Sequence, residues 1–251
     1  MLSSLFFVVT TVAFQGSPPA SNEFAPNTTP APPKPQISPE LRGDIQMAYK
    51  NYREAIEVYK TGPQNSAVIA NKIGIAYQQL QQLDLAKKSY ERAIKLDRAY
   101  AEAVNNLGTV YYAEKSYRRA IAQYKKAILI KGETASVLSN LGTAYLARKN
   151  YEIAAATYQR AFELDPEVFE RRNTVGVLLQ DGNVEERAKQ HYIIARMYAH
   201  AGKNDLALLY IRKAIEEGFK EREKFTKEPE FAGLRADPEF QKLMTMEQKV
   251  L

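Results

Sequence analysis

Two rows of side chains able to hydrogen-bond recur at an interval of 34 residues in the middle of the chain: Lys72, Asn106 and Asn140, and Asn71, Asn105 and Ser139. A third row, Ile75, Thr109 and Thr143, lies one helical turn further on. An asparagine amide carries a donor and an acceptor side by side, so such rows can pair with the N–H and C=O groups of an extended peptide whatever its side chains. Each bond nets only about 0.5–1.5 kcal/mol, so three or four imply an affinity nearer micromolar than nanomolar. A different chemistry repeats at the same interval in Arg92, Lys126 and Arg160, with Arg118, Arg119, Lys125 and Lys131 in the same segment as Lys126. Such a basic stripe can attract anionic lipid, polysaccharide or nucleic acid, or serve as a solvated face that discourages aggregation. It comes with no nucleic-acid-binding signature, and nucleic acid is not expected as a partner.

Catalytic chemistry is thin. Cysteine is absent and there are only two histidines, His191 and His200. Nine residues is two and a half helical turns, which points the two imidazoles to opposite sides and prevents them from sharing a metal. No glycine-rich phosphate loop, serine elbow or metal-spaced cluster is present. The carboxylate pairs Glu185-Glu186 and Glu216-Glu217 fall at expected helix ends, where they read as solvated charge. The chain is therefore expected to be no enzyme and to need neither cofactor nor metal.

The elements that must position the amide rows are themselves repeated. Ile73, Leu107 and Leu141 recur at the same 34-residue step, as do Gly74, Gly108 and Gly142; Tyr77, Tyr111 and Tyr145; Ala86, Ala120 and Ala154; Tyr90, Tyr124 and Tyr158; and Ala93, Ala127 and Ala161. Six agreeing rows in one register mark a duplicated structural unit. Within a copy, Ile73, Gly74 and Tyr77 fall on one helix face, and Ala86, Tyr90 and Ala93 on another. The polar runs Leu80-Gln81-Gln82, Glu114-Lys115-Ser116 and Arg148-Lys149-Asn150 are where the chain should turn, making each copy two antiparallel helices. The small residues are expected to let the partner backbone approach, with the tyrosines covering the seam.

The order Leu-Gly, Tyr, Ala, aromatic, Ala, closed once by Asp165-Pro166, resembles the tetratricopeptide repeat, strongly over about 100 residues and more loosely from Ser38 to Gly218. The sequence departs from that pattern at Ala70, Val104 and Leu138, where tryptophan is frequent, and at Arg98 and Gly132, where proline would close a copy. The resemblance implies an all-α right-handed solenoid of antiparallel helix pairs that binds a protein or peptide partner on its concave face. It makes Asn71, Lys72, Asn105, Asn106, Thr109, Ser139, Asn140 and Thr143 the candidate contacts. Asn106 and Asn140 resemble the asparagine ladder in the repeat superhelix of O-linked N-acetylglucosamine transferase. The carboxylate clamp of chaperone adaptors is not expected, because the third copy offers Ser136 and Asn140 where that clamp needs basic residues.

Outside the three strong copies the expected organisation is an apolar, signal-like segment at 1–15, a proline-rich linker at 16–37, and a degenerate helix pair at 38–66. Repeats follow at 67–100, 101–134 and 135–168, then an irregular stretch at 169–187, a repeat-like pair at 188–218 and capping helices at 219–251. The run Leu2–Phe14 is shorter than the ~20 residues that span a bilayer, and Thr11-Val12-Ala13 offers small residues for cleavage, so export is expected although no basic residue precedes the run. An uncleaved segment would be the one membrane contact. Ser38-Pro39 reads as a helix start, and Gly43, Ala55 and Tyr59 stand 31 residues before their counterparts Gly74, Ala86 and Tyr90. The weak first pair should act as a solvated cap. The net charge of +6 is carried by the repeats, since the first 38 residues sum to zero and residues 216–251 are acidic. Self-association through uncapped ends is the alternative to a partner-binding scaffold.

Overall fold

The computed structural model describes residues 37–170 and 184–246. The expected leader, the linker up to residue 36, most of the irregular stretch with its Asp181-Gly182-Asn183 turn, and residues 247–251 lie outside them. Among the described residues every regular element is helical. Five pairs follow one another: α1 (Pro39–Ala48) with α2 (Tyr52–Lys60), α3 (Ala67–Gln79) with α4 (Leu83–Leu96), α5 (Ala101–Ala113) with α6 (Tyr117–Lys131), α7 (Ala135–Ala147) with α8 (Tyr151–Leu164), and α9 (Val184–His200) with α10 (Asn204–Glu216). Then come α11 (Glu223–Lys227), a 3₁₀ turn (Pro229–Leu234) and α12 (Pro238–Thr245). Each helix packs chiefly on its pair partner and then on the next pair, which makes an all-α solenoid of antiparallel helix pairs.

The turn inside each pair is built the same way five times. Lys50, Gln81, Lys115 and Lys149 have φ between 58° and 62°, and Gly202 has φ 70° at the corresponding place. The left-handed residue lets the following N–H reach back five residues: Gln82 donates to the Tyr77 carbonyl at 2.9 Å, Ser116 to Tyr111 at 2.8 Å and Asn150 to Tyr145 at 2.9 Å. These bonds satisfy carbonyls that the helix end would otherwise leave open. The starts of α1, α3 and α7 use side chains instead, while α5 starts at Tyr100 without a side-chain cap. Ser38 Oγ accepts from Leu41 N at 3.1 Å with Pro39 in the first turn, Ser66 Oγ from Ile69 N at 3.2 Å, and Thr134 Oγ1 from Val137 N at 3.3 Å.

The glycine row has a different neighbour from the one expected. A Cβ added to Gly43, Gly74, Gly108 or Gly142 would stand 2.2, 2.5, 2.6 or 2.7 Å from the ring of Tyr59, Tyr90, Tyr124 or Tyr158. It is the tyrosine ring itself, buried in every case, that occupies the space above the glycine, not a closely approaching backbone. Each tyrosine lies 16 residues after its glycine, and at that spacing the last pair has Ala195 and Ile211, both fully buried.

The two ends differ. At the C-terminal end Phe225, Phe231, Leu234, Phe240 and Leu243 are buried, and Tyr192 stacks on Phe219 with centroids 4.6 Å apart. At the N-terminal end Leu41 and Ile45 of α1, with Ile37 just before it and Tyr49 at its C-cap, are exposed. The outward face of the first pair is thus an apolar stripe, whereas a solvated cap would present polar residues there.

Candidate functional site

The first helices of successive pairs, α1, α3, α5 and α7, bring the amide rows together, but in contact with one another. Asn106 Nδ2 donates to Asn71 Oδ1 at 3.0 Å, and Asn140 Nδ2 donates to Asn105 Oδ1 at 3.0 Å. Every such contact joins one residue of the second row to the next residue of the first row, one repeat later. Lys72 obeys the same rule with charge: its Nζ donates to Glu40 Oε1 and Asp44 Oδ2 of α1, both at 2.7 Å. The rows are therefore a seam between repeats, ionic at its start and amide in its middle. Beyond α7 the series continues with Ser139 and, on α9, the buried apolar Ile193.

Burial decides which of the eight candidates can meet a partner. Asn71, Thr109, Ser139, Asn140 and Thr143 are all buried, Asn140 to 1% relative exposure. With so little surface exposed they contribute little to the lining of an open groove. Thr109 Oγ1 donates to the Asn106 carbonyl at 2.7 Å and receives a bond from Gln78 Nε2 at 3.1 Å. Thr143 Oγ1 donates to the Ser139 carbonyl and lies 2.9 Å from Tyr158 OH, to which Gln190 Nε2 also donates at 2.9 Å. Burial pushes the Tyr158 phenol up and the bonds from Thr143 and Gln190 oppose that, so the proton stays on the ring oxygen at any physiological pH. Asn105, Asn106 and Lys72 remain half-buried, with solvent on one side.

Asn105 and Asn106 stand side by side on α5, with Asn105 Nδ2 directed at Asn106 Oδ1 over 3.3 Å. Each amide has two N–H groups and an oxygen with two lone pairs, so each retains one N–H beyond the bonds named here. Beside them Asn71 Nδ2 reaches the Tyr100 hydroxyl at 3.4 Å. Glu102, Val68 and Gln79 are exposed on the same helices.

Sequence reasoning missed Glu40 and Asp44. Their signal was present: counting back 31 residues from Asn71 and Ile75, as the first pair requires, lands on Glu40 and Asp44. Two carboxylates one turn apart explain why the seam position that is Asn106 and Asn140 elsewhere is lysine at 72. Asp44 Oδ1 also accepts from Tyr59 OH at 2.7 Å, tying the seam to the ring that covers Gly43.

The outer basic row is largely engaged as well. Arg92 Nη2 donates to the Gln64 carbonyl at 2.6 Å, and Arg160 pairs with Glu133 at 2.9 Å and Glu163 at 3.1 Å. All three are exposed, with Lys126 between the other two. The stripe is therefore interrupted, because two of its three charges are held by partners on the same chain. His191 and His200 both lie on α9, with His191 Nδ1 2.8 Å from Glu217 Oε2. No group of histidine, aspartate and glutamate able to hold a metal occurs among the described residues.

Fold and seam define an all-α repeat scaffold whose recurring polar residues bond between its own units. Two family profiles match it: one described as "Tetratricopeptide repeat" over residues 100–167 and one described as "TPR repeat" over residues 74–115. Tetratricopeptide repeats are thus matched over residues 74–167. No curated protein matches the chain. Among solved structures, a crystal structure of MamA is 22% identical, with a TM-score of 0.48, covering 74% of this chain and 97% of its own. A second MamA structure, of AMB-1, is 20% identical with a TM-score of 0.49, covering 72% and 98%. YrrB, described as "a TPR protein with an unusual peptide-binding site", is 20% identical with a TM-score of 0.44, covering 76% and 88%.

Proposed function

We propose that this protein is a non-enzymatic, exported scaffold that holds an extended segment of a partner polypeptide against its first helices. The half-buried pair Asn105–Asn106 carries this reading: it offers unused amide donors to solvent at the centre of a face whose other polar groups are occupied. Lys72 stands beside them between Glu40 and Asp44, whose two carboxylates outweigh its single charge, and Tyr100 adds a half-buried ring. The buried members of the rows support this surface without touching the partner. Export rests on the apolar run Leu2–Phe14 followed by a proline-rich spacer. No helix among the described residues is long and apolar enough to cross a membrane.

A pulldown from envelope extract with wild-type protein and two variants tests the surface. Asn106→Ala and Thr109→Ala each remove a seam hydrogen bond, but only Asn106 meets solvent. A partner retained by Thr109→Ala and lost by Asn106→Ala supports the reading; retention by both variants refutes it. Export is tested by sequencing the N-terminus of protein from its native source. A start shortly after Ala13 is expected, and an intact Met1 in a soluble cytosolic fraction would rule export out.

One observation favours a second reading, self-assembly. The exposed stripe Ile37, Leu41, Ile45 and Tyr49 lies on the outward side of the first pair, while the apolar residues at the opposite end are buried. Light scattering decides it: a dimer abolished by Leu41→Glu with Ile45→Glu supports self-assembly, and a monomer at all concentrations excludes it.

A further inference from the structure

Four of the cations that the outer stripe leaves unexplained converge elsewhere. Lys115 in the α5–α6 turn, Arg118 and Arg119 in the first turn of α6, and Arg148 in the α7–α8 turn line one open cavity of about 570 Å³, together with Ser116 and Tyr117. All four are exposed, and none has an ion-pair partner among the described residues. Elsewhere on the chain Lys72, Lys131, Arg160, Lys189 and Arg212 each meet a carboxylate. The one acid at the adjoining turn, Glu114, lies 3.6 Å from Lys87. Burial pushes the Glu186 carboxyl up, and the nearby charges of Lys149 and Lys115 oppose that.

Local structure works against this clustering. The first turn of α6 holds no acidic residue, although the positive end of a helix dipole favours anions and disfavours Arg118 and Arg119. Lys115 also occupies the left-handed turn position that glycine fills at Gly202. An anion seated in the cavity would relieve the repulsion among the guanidinium groups and complement the helix end together.

We propose that this cavity binds an acidic polypeptide segment, through carboxylate or phosphate-monoester side chains held by Arg118, Arg119, Arg148 and Lys115. The inference rests on the scaffold reading and deepens it by stating the chemistry of part of the partner. Planar guanidinium groups suit such oxyanions because they donate two parallel N–H bonds. A nucleic-acid backbone fits less well: it needs a continuous basic track with faces for base stacking. Here Arg92 and Arg160 are engaged within the chain, and Tyr117 is half-buried against Tyr112, with ring centroids 5.2 Å apart.

Fluorescence anisotropy on the full chain tests this, with a labelled polyglutamate peptide as probe and a polyglutamine peptide of equal length as control. At about 0.15 M salt, where distant exposed charges are screened, the acidic peptide should bind and the neutral one should not. Arg118→Glu with Arg148→Glu should weaken binding by about tenfold or more, with an unchanged melting curve. Lys88→Glu with Lys126→Glu makes the same change in net charge on exposed outer positions and should change binding less than about twofold. Equal weakening by both pairs would overturn the proposal, because net charge rather than the cavity would then be acting. Tighter binding to a single-stranded oligonucleotide or to phosphatidylglycerol vesicles than to the peptide would overturn it too. A phosphoserine peptide that binds more tightly than polyglutamate, and loses that advantage in Arg118→Glu with Arg148→Glu, supports the same site with phosphate as its preferred anion. Should the acidic peptides fail while Asn106→Ala still loses its partner, this cavity is dismissed and the scaffold reading stands.

Discussion

The first four helix pairs and the last one meet the same packing demand with different side chains. In the first four, a glycine on one helix makes room for a buried tyrosine ring on the other. In the last, Ala195 and Ile211 stand at the same spacing, so the first helix gains a methyl and the second gives up an aromatic ring. The change extends to the neighbouring seam. In three of the four glycine–tyrosine pairs the phenol oxygen joins a polar network, Tyr59 with Asp44, Tyr90 with Gln78 and Tyr158 with Thr143 and Gln190, while the Tyr124 hydroxyl is buried without a hydrogen-bond partner. Around α9 and α10 apolar and aromatic contacts dominate beside the one buried amide of Gln190, with Ile193 buried and Tyr192 against Phe219 and Phe225. The lesson is that the repeat conserves volume across a pair and complementarity across a seam, not particular residues.

The largest effect should come from breaking the glycine side of the comparison. Gly108→Leu places a branched side chain where even a Cβ would stand 2.6 Å from the Tyr124 ring, and should destabilise by about 3 kcal/mol or more through overpacking. Urea denaturation measures this, and an unchanged midpoint would show that the ring can move aside. Next comes the seam. Asn105→Ala removes the acceptor of the buried Asn140 amide, whose own oxygen already has no partner, and should cost about 1–3 kcal/mol. Ser139→Ala, at the seam position before Ile193, should cost less than half as much, because no bond from its hydroxyl crosses that seam. Smallest is the turn. Gln81→Gly relieves a left-handed non-glycine residue and should stabilise by at most about 1 kcal/mol, while Gly202→Lys should destabilise by a similar amount. Opposite signs in thermal melts are expected, and equal signs would contradict the shared turn geometry.

Much of this was legible in the sequence wherever the unit repeats unchanged. Rows of Gly74 and Tyr90 type gave helix pairs, and the polar runs at 80–82, 114–116 and 148–150 fall at the observed turns. The last pair was harder. Ala188, Tyr192 and Ala195 mimic the second-helix pattern, yet they lie on the first helix of the pair, which starts at Val184, four residues before the expected Ala188. Its true signature, Ala195 with Ile211, matches in volume but not in residue type. The amide rows were legible as rows, but not as a seam. An asparagine facing a peptide and one facing the next helix have the same spacing, and only the placement of neighbouring first helices decides which N–H groups remain open. The cavity at Lys115, Arg118, Arg119 and Arg148 escaped for a related reason, since its cations do not share a position of the repeat: Arg148 is the counterpart of Glu114, not of Lys115.

The most direct test of the volume-conserving account is a double-mutant cycle measured by urea denaturation. Gly108→Ala and Tyr124→Ile, which together recreate the Ala195 and Ile211 combination, should each destabilise alone by about 1–3 kcal/mol. Combined, they should recover at least about 1 kcal/mol relative to the sum of the two, as residues in contact do when their effects are coupled. A strictly additive double variant would contradict the account, because the methyl and the ring would then not be competing for the same space.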